Sequence, residues 1–196
     1  MLSQVSVQHP HGGRAIALSD RQVLALREKN KVLEAKLLEL IQFGEENDAI
    51  GEKMHRLALA LLAAQDMDAL LAALYYNLRE DFAVPHVALR LWRESGDTAG
   101  LGGAPEFRAV SDEMRQYAAG LVQPFCGPSG NAEAAAWFGE ATSHIRSVAL
   151  VPLKDKACFG VVALASEDVQ RFYAEMGTLY LQRLGELVSA ALGRLL

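Results

Sequence analysis

Apolar positions recur at helical spacing from Arg21 to Leu62, and read in sevens they form two rows. Position a falls on Val23, Asn30, Leu37, Gly44, Gly51 and Ala58, and position d on Leu26, Leu33, Leu40, Asn47, Met54 and Leu61. The first three heptads are apolar at nearly every seam position, the pattern of a two-stranded parallel coiled coil. Asn30 at an a position is the most informative residue, because a buried amide pairs with its twin only in a parallel, in-register dimer. Lys29 at g then faces Glu34 at e of a second copy, an attractive pair in the same register. The competing reading is one long amphipathic helix packed on its own domain. After Leu40 the stripe rotates through Phe43, Ile50, Met54, Leu57 and Leu61, as expected where a two-helix seam opens into a wider bundle. Gly44 and Gly51 make this stretch a candidate hinge or a close helix crossing. The expected dimer interface is Val23, Leu26, Asn30, Leu33, Leu37, Leu40, Met54, Leu57 and Leu61.

Beyond the rod the periodicity changes several times. Asp66 is placed to cap a helix ending near Asp81, with Met67, Leu70, Leu71, Leu74 and Leu78 on one face. From His86 to Arg93 the pattern alternates, Val87, Leu89 and Leu91 against Ala88, Arg90 and Trp92, which is strand spacing. Residues 95–105 read as a loop, Phe107–Val110 as a short strand, and Asp112–Leu121 as a short helix. The run from Pro124 to Gly130 is a dense turn signal, after which Asn131 is placed to cap a helical turn ending near Trp137 and Phe138. Ser147–Leu153 and Ala157–Ala165 are β-rich runs joined by Lys154, Asp155 and Lys156, a hairpin. Ala174–Leu195 closes the chain as a long helix. Strands in antiparallel succession with long helices at both ends predict an α+β architecture, a sheet with helices on one face. The expected division is a tail at 1–18, a coiled-coil helix at 19–62 with Ser19 or Asp20 as its cap, and one globular domain at 63–196.

Length agrees with that division: 196 residues leave one domain of ordinary size once the rod is set aside. A net charge of −5 without a basic stripe argues against nucleic acid or an anionic membrane as partner. No apolar run approaches the roughly 20 residues of a membrane span, no signal peptide is visible, and Cys126 and Cys158 show no CxxC spacing. These features place the protein in the cytoplasm, where thiols pack as small hydrophobes.

Little of the chain points to chemistry. No GxSxG, HExxH, P-loop or GxGxxG pattern brings a nucleophile to a base or a loop to a phosphate. His9 and His11 lack further metal ligands nearby, and nothing indicates metal, haem or nucleotide. Cys126 in its Gly/Pro turn is the best candidate for a reactive thiol, although low local positive charge gives no reason for a depressed pKa. His144 and Arg146 precede the hairpin and could face a pocket. Ser166, Asp168 and Arg171 follow it and could hold a polar ligand group or tie the loop to the last helix.

The hairpin Ser147-Val148-Ala149-Leu150-Val151-Pro152-Leu153, a charged turn, then Gly160-Val161-Val162-Ala163-Leu164, looks like the central hairpin of GAF domains, sensory modules related to PAS. Several short pieces together are more specific: Leu26-Arg27-Glu28, Pro124-Phe125-Cys126-Gly127-Pro128, the hairpin, Ser166-Glu167-Asp168, Arg171-Phe172 and Met176-Gly177-Thr178. They resemble the bacterial GAF-like family catalogued as domain of unknown function 484. The chain departs from that pattern at Ala165, where Gly is usual, and in a shorter N-terminal helical segment. The resemblance implies a GAF-like (PAS-related) fold, no catalytic residues, and a small ligand between the sheet and the Pro124–Phe138 region. The candidates are Phe125, Cys126, Gly127, Ser129, Trp137, His144, Arg146, Ser166, Asp168 and Arg171. The NKxFxxxDE-type motif of cyclic-nucleotide GAF domains is absent. The functional expectation is a dimeric, non-catalytic sensory or regulatory module that signals through its stalk, to an unidentified protein partner or to its own tail. The alternatives are a structural adaptor with no ligand and, last, a thiol enzyme such as a methionine sulfoxide reductase.

Overall fold

Four strands, β1 His86–Leu91, β2 Phe125–Pro128, β3 Ser147–Lys154 and β4 Cys158–Ser166, form in a computed structural model that describes residues 12–92, 103–128 and 132–196. They make one sheet of order β1-β4-β3-β2 with every neighbour antiparallel. The helices are α1 Gly12–Ala63, α2 Met67–Glu80, α3 Asp112–Gly120, α4 Ala132–Ala136 and α5 Leu179–Gly193. Asp66 caps α2 as expected, its side chain accepting from the Ala69 amide at 2.8 Å.

Period-two alternation sorts each strand between two cores. Leu89, Leu91, Ala149, Val151, Leu153, Val162 and Leu164 face the long helices, meeting Leu70, Leu74 and Leu78 of α2 and Leu184, Val188 and Leu192 of α5. Ala88, Trp92, Val148, Leu150, Val161, Ala163 and Ala165 face the other way, under Met114 and Ala118 of α3 and Ala134 of α4. The long helices thus share one face, and short helices cover the second. Gly185 lets α5 lie close on β3, since a Cβ there would stand 2.8 Å from Val151 Cγ1 and 3.2 Å from the Pro152 carbonyl. The adjoining stretch of β3 offers no ladder donors: Pro152 has no N–H, and the Lys154 N–H donates to Ser189 Oγ of α5 at 3.0 Å.

By its contacts the chain divides after Ala49 into two compact units. In the first, Val23, Leu26, Leu33, Leu37 and Leu40 of α1 are exposed, as is Asn30. The second begins at Ile50, earlier than the expected 63, because the last turns of α1 pack into its core. Met54, Leu57 and Leu61 are buried there at 8%, 0% and 2% exposure. That corrects their assignment to a dimer interface: a side chain with so little exposed area in one chain has almost none left to bury against another.

Other expectations shift as well. Helix α1 is already formed at Gly12, so Ser19 and Asp20 lie inside it; Arg14 to Leu18 hold nothing that stops a helix. Phe107 sits in a 3-10 turn, Pro105–Phe107, rather than a strand, since Pro105 cannot donate to a ladder and presets the turn. Phe125–Pro128, expected as a turn, is the edge strand β2, where Pro128 is tolerated at the end of the ladder. The last helix starts at Leu179 rather than Ala174, after a turn closed by the Met176 N–H on the Tyr173 carbonyl at 3.1 Å and followed by Gly177. Ser129, Asn131 and Arg93 lie outside the described residues, as do the histidines of the tail.

Candidate functional site

The polar groups of the short-helix side gather around the outer edge of β1. Strand alternation sends Arg90 to the same face as Ala88 and Trp92, and only 6% of its surface is exposed. Its guanidinium lies 5.0 Å from the centroid of the Trp137 ring, just past α4. Nη1 donates to the Leu89 carbonyl at 2.8 Å. The 3-10 turn packs along β1 and supplies Glu106, a buried carboxylate that accepts from the Tyr75 hydroxyl of α2 at 2.7 Å. On the α3 side, Ser111 caps its helix by accepting from the Met114 N–H at 3.1 Å. The same residue holds Glu133 of α4 through its N–H at 3.0 Å and its hydroxyl, which fastens the two short helices together.

Electrostatics follow from this packing. Burial lowers the Arg90 pKa from its ordinary value, Arg108 adds to the effect, and Tyr75, Glu106 and Glu133 oppose it. Burial raises the Tyr75 pKa, with the bond to Glu106 second. Among the described residues no carboxylate forms an ion pair with Arg90 within 4.0 Å. None of Arg90, Tyr75, Glu106, Ser111 and Glu133 belongs to the expected site; Trp137 alone does. An alternation placing a cation in register with Ala88 and Trp92 is the signal that could have found the cluster.

The remaining candidates are dispersed. Phe125 and Cys126 are neighbours on β2 and therefore lie on opposite faces of the sheet. Phe125 meets Tyr117 edge-on at 6.4 Å and folds its ring over Gly127, whose added Cβ would sit 3.0 Å from Phe125 Cζ. Cys126 is packed among the long-helix core, and burial pushes its thiol up to about 11. The Cys158 thiol is also raised by burial, and both cysteines are free. His144 and Arg146 are exposed.

Ser166, Asp168 and Arg171 do come together, but their groups are mutually engaged. Ser166 Oγ accepts from the Asp168 N–H at 3.1 Å, and Asp168 Oδ1 accepts from the Gln170 N–H at 2.8 Å. The Asp168 carbonyl accepts from Ser147 Oγ at 2.6 Å, while Arg171 donates to the Phe82 carbonyl. The loop after β4 is thereby tied to β3 and to the α2–β1 connection, rather than to the last helix.

Two small cavities lie elsewhere. One of about 190 Å³ separates α5 from the Leu121–Pro124 loop over Val151 and Pro152. The other, about 130 Å³, is an apolar groove between the end of α1 and α5, lined by Ala58, Leu61, Leu62, Leu187, Ala191 and Arg194. None of the ligand candidates lines either one. Among the described residues no three His, Cys, Asp or Glu side chains could hold a metal ion, and no helix is long and apolar enough to cross a membrane.

The sheet is four-stranded and antiparallel, with α2, α5 and the last turns of α1 on one face and short helices on the other. The family described as "Protein of unknown function, DUF484" matches residues 1–196. The chain belongs to that family. Among solved structures, the DUF484 chain is similar to one described as "Crystal structure of the GAF domain of a putative sensor histidine kinase from Pseudomonas syringae pv. tomato". Identity is 18%, with 79% of this chain and 92% of that one covered at a TM-score of 0.52. At that identity the likeness is one of fold, and the fold of the DUF484 chain is that of a GAF domain. No curated protein matches it.

Proposed function

We propose that this DUF484 protein is a non-catalytic, dimeric sensory or regulatory module, in which a small ligand on the short-helix side of the sheet biases helices that form a parallel stalk. The observation that carries the reading is the seam of α1: Val23, Leu26, Leu33, Leu37 and Leu40 repeat at a and d, and all are exposed in the single chain. Exposed leucines in such a row are the surface a second copy covers. The GAF neighbour, a domain of a protein described as a sensor kinase, supports the sensory part by analogy of fold.

Contacts within the GAF-like unit support such a coupling. Arg194, at the end of α5, donates to the carbonyls of Leu61, Leu62 and Ala64 at 3.3, 3.3 and 2.8 Å, capping α1 with a cation where its free carbonyls gather. Arg56 of α1 pairs with Asp81 at the end of α2 at 3.0 Å. A change in the sheet that moves α5 or α2 therefore reaches the end of α1. Thiols whose pKa values burial raises, Cys126 buried and Cys158 partly so, favour the non-catalytic reading over a thiol enzyme.

A structural adaptor is the second reading. Cavities of about 190 and 130 Å³ are smaller than ordinary ligand pockets, and neither lies on the short-helix side. Native mass spectrometry of the full chain from its own host tests both. A dimer carrying a retained small molecule supports the sensory module, an empty dimer the adaptor. A monomer in solution, with N30L equally monomeric, overturns the stalk itself.

A further inference from the structure

We propose that the groove between the end of α1 and α5 is the surface on which the GAF-like unit receives a second copy of this chain. This rests on the dimeric part of the sensory reading and adds where, beyond the seam of α1, the two copies meet. The groove holds about 130 Å³ and is apolar, with Ala58, Ala190 and Ala191 as its small residues and Leu62 and Leu187 among its large ones. Leu62 is 67% exposed, and Ala190 is exposed as well. Small side chains set between leucines make holes that the leucines of an identical groove fill, the self-complementary arrangement a two-fold axis requires.

Two observations single out a copy of the chain as the occupant. The first is charge. A two-fold axis sets each charge of a surface near its own like, and the chain carries −5 in all. Among the described residues of the groove lining Arg194 alone is charged, and its guanidinium donates to the Leu61, Leu62 and Ala64 carbonyls of its own chain. The lining therefore presents no carboxylate that a copy would repel. The second is area. A stable association covers about 800 Å² and roughly 20–30 residues on each side. From Val23 to Leu40 the a, d, e and g positions give about ten residues, and Gly44 and Asn47 then put no apolar side chain on the seam. A dimer held at that seam alone is undersized, and the groove supplies apolar surface that it lacks. Ala58 is an a position and Leu62 an e position, so the helix that buries Leu57 and Leu61 in its own core turns these neighbours outward.

Sedimentation velocity of the full chain over a concentration series compares wild type with L62E, A190E, L40E and V122E. Val122 is 92% exposed and lines the other cavity, so V122E adds the same charge away from the groove. Wild type is expected to be a dimer, and L62E and A190E each to raise its dissociation constant at least about tenfold while V122E leaves it unchanged. Circular dichroism melts of dilute protein identify any variant that disturbs the fold, and the other groove variant then carries the test. A dimer that L40E weakens but L62E and A190E leave intact overturns the groove and keeps the stalk. Weakening by L62E and A190E with L40E neutral supports the groove and removes the seam. V122E acting as strongly as L62E overturns the groove by assigning the effect to charge alone, and a wild type that is monomeric throughout overturns groove and stalk together.

Discussion

Leu40 and Leu61 occupy the same heptad position three repeats apart on α1, yet Leu40 is 66% exposed and Leu61 2%. Truncating each to Ala removes the same atoms from two different environments. At Leu61 the lost methyl groups leave a cavity among buried neighbours that include Leu57, Leu70 and Leu192, and such sites cost about 2–5 kcal/mol. With a midpoint of about 3 kcal/mol and roughly 2–4 °C per kcal/mol for a chain this long, L61A should melt about 6–12 °C below wild type. That loss is intramolecular, so it should not change with protein concentration. At Leu40 no cavity forms in the isolated chain, and Ala is the better helix former. L40A should therefore leave the monomer's stability unchanged and act only by weakening association, which mass action makes dependent on concentration.

Circular dichroism melts over a wide concentration series, with sedimentation at the same concentrations, separate the two. The reasoning fails if L61A costs less than about 1 kcal/mol, because that places its side chain outside the core. It fails equally if L40A lowers the melting temperature of a dilute monomer as far as L61A does. Either result would show that the turn of helix at which α1 passes from an exposed seam into a packed core has been misplaced.

Three further outcomes are expected. Gly185→Val puts a branched side chain where even a Cβ would meet Val151 Cγ1 at 2.8 Å, and should cost at least about 1–3 kcal/mol in urea unfolding; a neutral result would mean α5 does not lie this close to β3. Arg194→Met keeps the aliphatic stem but removes the guanidinium that donates to three carbonyls at the end of α1, a loss of about 1–2 kcal/mol read by thermal melting, with faster amide exchange in the last turn of α1. For Cys126 the folded thiol pKa of about 11 lies above its ordinary 9.0. Between those values the unfolded chain has released a proton that the folded chain keeps, so stability is full below about pH 9, falls as pH rises and levels off near 11. The loss should reach about 2–3 kcal/mol in wild type relative to C126A, and superposable pH profiles for the two would refute burial of that thiol.

How much of this was visible in the sequence depends on whether a residue's environment is set by its neighbours in the chain or by a distant element. Continuous apolar, β-rich runs at Ser147–Leu153 and Ala157–Ala165 around a charged turn identified the β3–β4 hairpin, because local pattern and final packing agree there. β2 was hidden because Pro124, Gly127 and Pro128 carry turn chemistry, and only the ladder offered by β3 overrides it. The same dependence on a remote element explains Met54, Leu57 and Leu61, which continue a coiled-coil stripe until α2 and α5 bury them. Arg90 is the sharpest case. Its alternation with Val87, Leu89 and Leu91 assigns it to the opposite face from them, and an Arg on a strand face ordinarily means that face is wet. The face is dry because α3 and α4, more than twenty residues downstream in sequence, close over it. Periodicity can say which side of a sheet a residue takes, but whether that side meets water or a second layer is decided by chain the residue has not yet met. A charged residue on a covered side is therefore where the sequence pattern and the packing disagree most.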